Sequence, residues 1–175
     1  MARGMKSWAM AWVAIAWLWA WPTWAAPTFG TWDVKSLFFI AKSENKNEVH
    51  YGVKIDEHCA VIGPEPVFAY WLLRERTPPA VEDLGFWEAP AYGIASQTVS
   101  GTTIRLVLRA LGERPIDVRI AKGSGGCDAA PMVTIAKALA RLHHVYVEVG
   151  FFGPRSLTLV GVDGAGTAVA EVITK

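Results

Sequence analysis

The sequence lacks the short motifs that mark known catalytic or metal chemistry. It has no G-x-S-x-G nucleophile motif, and Gly123-Ser124-Gly125 lies in a turn without the flanking strand and helix that such a nucleophile needs. Only two cysteines occur, and the adjacent pair His58 and Cys59 lacks the paired spacing of zinc ligands. The sequence therefore indicates no catalytic residue, no metal site and no cofactor.

An excess of one charge is also missing. The chain has 17 basic and 16 acidic residues, a formal net charge of +1. Residues 1–25 contain two basic and no acidic residues, so the remainder carries 15 minus 16, or −1. Such a balance does not imply nucleic acid or an acidic membrane surface as a partner.

The N-terminal residues have the pattern of an export signal. Arg3 and Lys6 form a positive start, an uncharged apolar run follows over residues 7–21, and Thr23 to Ala25 offers a small-x-small cleavage site. We therefore predict a signal peptide over residues 1–25.

Cleavage after Ala25 would leave a single periplasmic or secreted domain, residues 26–175, with no stable membrane span. The alternative is a retained anchor, because no charge occurs between Lys6 and Asp33. Pro22 and Pro27 favour cleavage.

Export favours a disulfide between Cys59 and Cys127. Both cysteines lie in predicted loops and enclose about 68 residues, which in the chain-entropy model stabilises the fold by about 4 kcal/mol. Two buried free thiols, or metal ligation by His58 and Cys59, are the alternatives.

The strongest structural pattern is a hairpin over Leu37 to Ile55. The first strand is apolar on both faces, which is typical of a central strand. A polar turn at residues 43–47 follows, and the return strand alternates apolar Val49, Tyr51 and Val53 with polar residues.

Similar patterns recur along the chain. Strands are predicted at 67–74, 102–110, 116–120, 132–136, 144–151, 157–162 and 168–173, whereas residues 137–142 have local helical propensity. The segment near 77–100 is irregular, with a possible helical turn at 81–87 and a possible strand at 91–95. The prediction is an all-β fold, a single antiparallel barrel or sandwich of about eight strands.

Three runs, LFFIAKSENKNEVHYGVKID, PVFAYWLLRE and PAYGIASQ, resemble a family of small exported bacterial proteins known only as a domain of unknown function. The resemblance covers nearly all of residues 26–175. It implies a single exported domain and brings no activity, substrate or catalytic residue.

A polar and aromatic set around the hairpin is the candidate ligand-binding site. Its members combine the side-chain types that line small-molecule pockets: Lys42, Asn45, Asn47, His50, Tyr70, Trp71 and Tyr92. The alternative is turn chemistry plus core aromatics, which needs no ligand.

Other polar residues give weaker indications. His143 and His144 are adjacent in a predicted strand, so their side chains are expected on opposite faces, where they cannot easily share one ion. His144 and Glu148 share a face that is more simply a solvated surface. Arg105 and Arg109 either bind an anion or pair with Asp117 across a hairpin.

These observations favour a non-enzymatic exported binding module. Its partner would be an unknown small molecule or an envelope protein. The alternative is an exported hydrolase with dispersed catalytic residues, which needs a nucleophile or metal ligands within hydrogen-bond reach of a base.

Overall fold

The structure is a computed structural model that describes residues 33–151 and 153–174. The predicted export signal, residues 1–25, lies outside the described residues, as does the alternative of a retained anchor. Within the described ranges, no helix has the length and apolar character needed to cross a membrane.

The first four strands form an antiparallel meander. Strand β1 (Asp33–Lys42) pairs with β2 (Glu48–Ile55), β2 pairs with β3 (Val67–Leu73), and β3 pairs with β4 (Ala80–Asp83). The predicted hairpin is confirmed, with Phe38 opposite Tyr51 and Ile40 opposite Val49. Strand β1 is also central, because its other edge pairs with a later strand.

The rest of the chain adds a short helix and seven strands. Helix α1 (Ala89–Tyr92) comes first, and one turn of 3₁₀ helix occupies Arg109–Leu111. The strands are β5 (Ile94–Ser100), β6 (Thr103–Leu108), β7 (Pro115–Gly123), β8 (Gly126–Ile135), β9 (Ala138–Gly150), β10 (Gly153–Asp163) and β11 (Ala168–Thr174).

All eleven strands belong to one sheet, which is not closed. Its main path runs β4-β3-β2-β1-β9-β8-β7-β6-β5, and β10 pairs with both β9 and β11. One edge of β9 is divided: its first residues pair antiparallel with β8, and residues 144–147 pair parallel with β1. The other edge pairs with β10.

The all-β class is therefore confirmed, but an antiparallel barrel of about eight strands is wrong. Strands β4 and β5 end the path rather than pairing, and the β1–β9 pair is parallel. Two of the extra strands lie in the segment predicted to be irregular, where β4 precedes α1 and β5 follows it. Pro90 lies in the first turn of α1, a position where its missing N–H costs nothing.

The predicted helical propensity of residues 137–142 is overridden by strand pairing. Residues 138–142 belong to β9, where Ala140 and Leu142 are buried. Hydrogen bonding to β8 and β10 on the two edges outweighs the small helical preference of six residues.

The sheet surrounds one hydrophobic core. Five residues from different strands are fully buried in one cluster: Ile40 from β1, Val49 from β2, Leu106 from β6, Val118 from β7 and Val145 from β9. The predicted Cys59–Cys127 disulfide is confirmed, and it ties the loop after β2 to the start of β8.

Candidate functional site

Lys42 lies at the edge of the core, at the end of β1, and on the same face of this strand as Phe38 and Ile40. Those two side chains are buried, whereas Lys42 is the last residue of the strand. Its ammonium lies 4.8 Å from the ring centroid of Trp71 and 5.7 Å from that of Tyr92. The β1–β2–β3 register places Trp71 there, because Ile40 pairs with Val49 and Val49 pairs with Trp71.

Tyr92 is held against this end of the core by its backbone. The hydroxyl of buried Tyr51 donates a hydrogen bond to the Tyr92 carbonyl, and burial raises the pKa of Tyr51 above its ordinary value. The next residue, Gly93, has no room for a side chain, because a Cβ atom would lie 2.3 Å from the Ala89 carbonyl oxygen. The Tyr92 ring then meets Trp71 edge-on, with centroids 6.3 Å apart.

Most of the Lys42 side chain is buried, and its ammonium has no close hydrogen-bond acceptor in the described chain. Its side chain is 12% exposed, and the nearest carboxylate oxygen, from Glu44, lies 3.7 Å away, which is an ion pair but longer than a hydrogen bond. No protein atom within the described ranges accepts a hydrogen bond from it. The two aromatic faces stabilise the charge by about 0.5–2 kcal/mol, but they leave its N–H donors available.

These donors border a cleft of about 280 Å³, which we call the Lys42 cleft. Four predicted site residues line it: Lys42, Asn45, Asn47 and Trp71. The segment from the end of β3 to α1 adds six more: Leu73, Arg76, Glu82, Asp83, Gly85 and Glu88.

Acidic groups outnumber basic groups in the Lys42 cleft. Arg76 forms an ion pair with Glu82, but Asp83 and Glu88 form no ion pair with any described residue. The cleft therefore combines a cationic donor with two carboxylate acceptors.

The two asparagines in the cleft also shape the β1–β2 turn. The Asn45 side-chain oxygen accepts a hydrogen bond from the Asn47 N–H at 3.0 Å, and the Asn47 side-chain oxygen accepts one from the Glu75 N–H at 3.3 Å. This is the turn chemistry that the sequence offered as the alternative to ligand binding, and it attaches the turn to the end of β3.

A second cleft of about 230 Å³, which we call the Tyr92 cleft, lies beside Tyr92. Its lining residues come from α1, the 3₁₀ turn, β9 and β10: Pro90, Ala91, Tyr92, Arg109, Ala110, Val147, Pro154 and Leu157. Burial raises the pKa of the Tyr92 hydroxyl, and the charges of Glu44 and Glu88 add to this effect.

The remaining predicted site residues, His50 and Tyr70, lie on the opposite face of the sheet. Pairing across four strands aligns Tyr70, His50, Phe39 and His144, and neighbouring rings stack with centroids 5.3–5.6 Å apart. The structure thus brings Lys42, Asn45, Asn47, Trp71 and Tyr92 to one end and separates His50 and Tyr70 from them.

His50 in this row is largely buried and paired. Its Nε2 atom lies 2.7 Å from the Glu48 carboxylate, which also pairs with Arg74 at 2.8 Å. Burial lowers the pKa of His50 below its ordinary value, an effect that the hydrogen bond and charge of Glu48 partly oppose.

The predicted separation of His143 and His144 is wrong. A bulge opposite Val160 and Gly161 takes His143 out of register, so both imidazoles lie on one face with their Nδ1 atoms 2.8 Å apart. Glu148 does not reach them and instead accepts a hydrogen bond from the Ser156 hydroxyl. No three histidine, cysteine or acidic side chains in the described part of the chain are grouped to hold a metal ion.

The sequence interpretation missed the acidic wall of the Lys42 cleft. Glu82, Asp83 and Glu88 belong to the segment predicted to be irregular. Without a periodic pattern there, the sequence did not indicate where their side chains lie. The available signal was the run of charges on both sides of Thr77-Pro78-Pro79, which a turn between β3 and β4 brings together.

A scan against family models matches residues 38–175 to the family described as Domain of unknown function (DUF4833). The chain belongs to this family. Comparison of this DUF4833 chain with curated proteins and with solved structures gave no match. Assignment to DUF4833 agrees with the resemblance noted in the sequence and brings no established activity, so the function must be argued from the site.

Proposed function

We propose that this DUF4833 protein is a non-enzymatic binding module that holds a small polar ligand in the Lys42 cleft. The observation that carries the proposal is the Lys42 side chain, which is 12% exposed and whose ammonium borders a cleft without a hydrogen-bond acceptor in the described chain. A ligand oxygen would accept the hydrogen bond that the protein does not supply, and the free energy gained would offset the cost of burying the charge.

The two carboxylates without an ion pair define the ligand further. Asp83 and Glu88 are acceptors, so the ligand needs donor groups facing them as well as an acceptor facing Lys42. A volume of about 280 Å³ is at the small end for ligand pockets. Small hydroxylated or amino-substituted molecules meet these requirements.

We propose further that the protein works in the periplasm or outside the cell. The signal-like pattern of residues 1–25 and the Cys59–Cys127 disulfide support this location, because disulfides persist in oxidising compartments.

Native mass spectrometry of protein purified from its own host tests the ligand proposal. We expect an additional mass of a small molecule on the unmodified protein, and a loss of that mass in Lys42→Met. Lys54→Met is the matched control, since the Lys54 ammonium lies over the Phe68 ring outside the cleft and its loss should leave the ligand bound. An apo mass for the unmodified protein, or equal retention in Lys42→Met, would contradict the proposal.

A second candidate function, binding of an envelope protein, is favoured by two exposed aromatic residues. Phe86 and Trp87, in the loop before α1, are 81% and 83% exposed, and their rings meet edge-on with centroids 5.2 Å apart. Exposed aromatic side chains are characteristic anchors of protein interfaces.

Photo-crosslinking in the native host separates this candidate from ligand binding. A crosslinking residue at Trp87 should give one discrete protein adduct, whereas the same residue at the exposed His58 should give none. An absence of adducts at Trp87, or the same adducts at both positions, would argue against a protein partner at this loop.

The alternative of a hydrolase finds no support in the histidine contacts. In residues 33–151 and 153–174, His50 contacts Glu48 and His143 contacts His144, and none of these three histidines hydrogen-bonds a serine or threonine hydroxyl. The proposed function therefore rests on the Lys42 cleft and not on a catalytic histidine.

A further inference from the structure

The Tyr92 cleft differs from the Lys42 cleft in its chemistry. Its walls are formed by proline, alanine, valine, leucine and the Tyr92 ring, and Arg109 supplies its one charged side chain. Apolar walls favour a hydrocarbon or an aromatic ring, and a guanidinium favours an anion. A ligand that suits the whole cleft carries both groups next to each other.

Arg109 is available for such an anion. Five other arginines of the described chain form ion pairs: Arg74, Arg76, Arg105, Arg114 and Arg141. No carboxylate of the described residues pairs with Arg109. The sequence left open whether Arg105 and Arg109 bind an anion or pair with Asp117, and the structure pairs Arg105 with Asp117 while placing Arg109 at a cleft.

The backbone at Arg109 is hydrogen-bonded to the segment that carries Tyr92. Its N–H donates a hydrogen bond to the Gly93 carbonyl at 3.1 Å, directly after the Tyr92 wall. It begins the 3₁₀ turn, whose next two residues, Ala110 and Leu111, are buried. A backbone hydrogen bond thus links Arg109 to the residue that follows Tyr92.

The size of the cleft limits the ligand. A volume of about 230 Å³ lies below the range of about 300–1,000 Å³ that is typical of ligand pockets. This suits a ring or a short chain with one carboxylate rather than a long fatty acid. A single guanidinium in an otherwise apolar lining also fits a monoanion better than a phosphate dianion.

We infer that the Tyr92 cleft binds a small carboxylate with an apolar body, an aromatic acid or a short-chain fatty acid. The guanidinium of Arg109 holds the carboxylate by two parallel N–H···O hydrogen bonds, and the apolar group packs between Tyr92, Val147 and Leu157. This site is independent of the ligand proposed for the Lys42 cleft.

Titration calorimetry of the intact protein with benzoate and with hexanoate tests the inference and separates the two ligand types. We expect saturable one-to-one binding of at least one acid with a Kd of about 1 mM, a typical scale for so small a ligand. Benzamide, which has the same shape as benzoate and no charge, should bind at least about tenfold more weakly.

Variants locate the binding. Arg109→Gln should weaken it by about tenfold or more, whereas Arg119→Gln, an exposed arginine on β7, should leave it unchanged. Asp83→Asn, a change in the Lys42 cleft at a residue that does not line the Tyr92 cleft, should also leave it unchanged, so failure of the Lys42 proposal is distinguishable from failure here. Far-ultraviolet circular dichroism confirms that each variant is folded.

Three results would overturn the inference. They are an absence of saturable binding by either acid at about ten times the expected Kd, equal affinity for benzoate and benzamide, and unchanged affinity in folded Arg109→Gln. Loss of binding in Lys42→Met with retention in Arg109→Gln would assign the acid to the Lys42 cleft instead and would equally overturn it.

Discussion

The side-chain amide of Gln97 hydrogen-bonds both backbone groups of Val67. Its oxygen accepts from the Val67 N–H at 2.9 Å, and its nitrogen donates to the Val67 carbonyl at 3.1 Å. Gln97 belongs to β5 and Val67 to β3, two strands that do not pair with each other through their backbones. One side chain therefore connects β3, near one end of the strand order, to β5 at the other end.

Removal of this amide should destabilise the protein. Gln97→Ala leaves the N–H and the carbonyl of buried Val67 without their partner, so we expect a loss of about 1–3 kcal/mol in the free energy of unfolding. Urea denaturation measures it. Thr98→Ala, at the exposed neighbouring position, is the control and should change stability by less than about 0.5 kcal/mol. Equal midpoints for the two variants would show that the contact adds nothing.

Lys42→Met should make the protein more stable. Methionine keeps the contacts with Trp71 and Tyr92 and removes the charged group of a largely buried side chain, so we expect a gain of about 0.5–2 kcal/mol. Thermal and urea unfolding measure it. Lys42→Ala tests the packing contribution, because it removes the contacts as well and should be less stable than Lys42→Met. A large loss of stability in Lys42→Met would mean that Lys42 serves the fold rather than a ligand.

Gly93→Ala should disturb the link between α1 and β5. The added methyl group would lie 2.3 Å from the Ala89 carbonyl oxygen, so the end of α1 must shift. We expect a loss of about 1–3 kcal/mol in stability. Gly164→Ala is the control, since a Cβ there meets nothing within 4 Å. If both variants unfold at the same urea concentration, the close approach at Gly93 does not constrain the fold.

Stability should fall as the pH drops below about 6.5, the ordinary pKa of histidine. Burial lowers the pKa of His144 in the folded state; the charge of His143 lowers it further, and Glu48 partly opposes both effects. Folding therefore favours the neutral imidazole. The contribution of His144 to stability is complete above pH 6.5 and is lost as the pH falls toward the folded-state pKa.

Urea unfolding at pH 5 and pH 8 measures this loss. His144→Phe keeps a ring against Phe39 but cannot take up a proton, so its stability should decrease less between the two pH values. The residual decrease should come from His50, whose pKa is also lowered by burial. His58→Gln replaces a 76% exposed imidazole and is the control. An unchanged pH dependence in His144→Phe would refute the assignment.

The disulfide should contribute strongly to stability. Cys59 and Cys127 are 68 residues apart in sequence, and loss of the bridge in the double variant Cys59→Ser/Cys127→Ser should cost about 2–5 kcal/mol. Denaturant unfolding of the oxidised protein and the variant measures the difference. Thiol titration of denatured, unreduced protein should find no free thiol, and two free thiols would exclude the bridge in solution.

The sequence predicted the hairpin of β1 and β2, which forms between neighbouring residues, but not the pairing of distant strands. The alternation of Val49, Tyr51 and Val53 and the polar turn before them gave the first hairpin with its correct faces. The parallel pairing of Phe39 with His144 had no such signal, since residues 105 positions apart leave no shared periodicity. This pairing is what excludes a simple antiparallel barrel.

The candidate site was predictable to a similar extent. Lys42, Asn45 and Asn47 are close in sequence, so their proximity followed from the turn. Their meeting with Trp71 and Tyr92 depends on the sheet register and on the bend at Gly93. The shared face of His143 and His144 depends on a bulge, in which one unpaired residue interrupts the regular alternation of side chains. No residue type in this part of the sequence indicates the bulge.

The parallel pair of β1 and β9 also sets the order in which the chain can fold. The meander of β1, β2 and β3 can form as soon as about residue 73 is available, but the inner edge of β1 then has no partner. The residues of this edge, Phe39 to Lys42, gain their partners only when residues 144–147 have been synthesised. An open apolar strand edge is a site of aggregation, and contacts so distant in sequence form slowly. We therefore expect chains truncated before β9 to aggregate rather than to remain as stable partial folds.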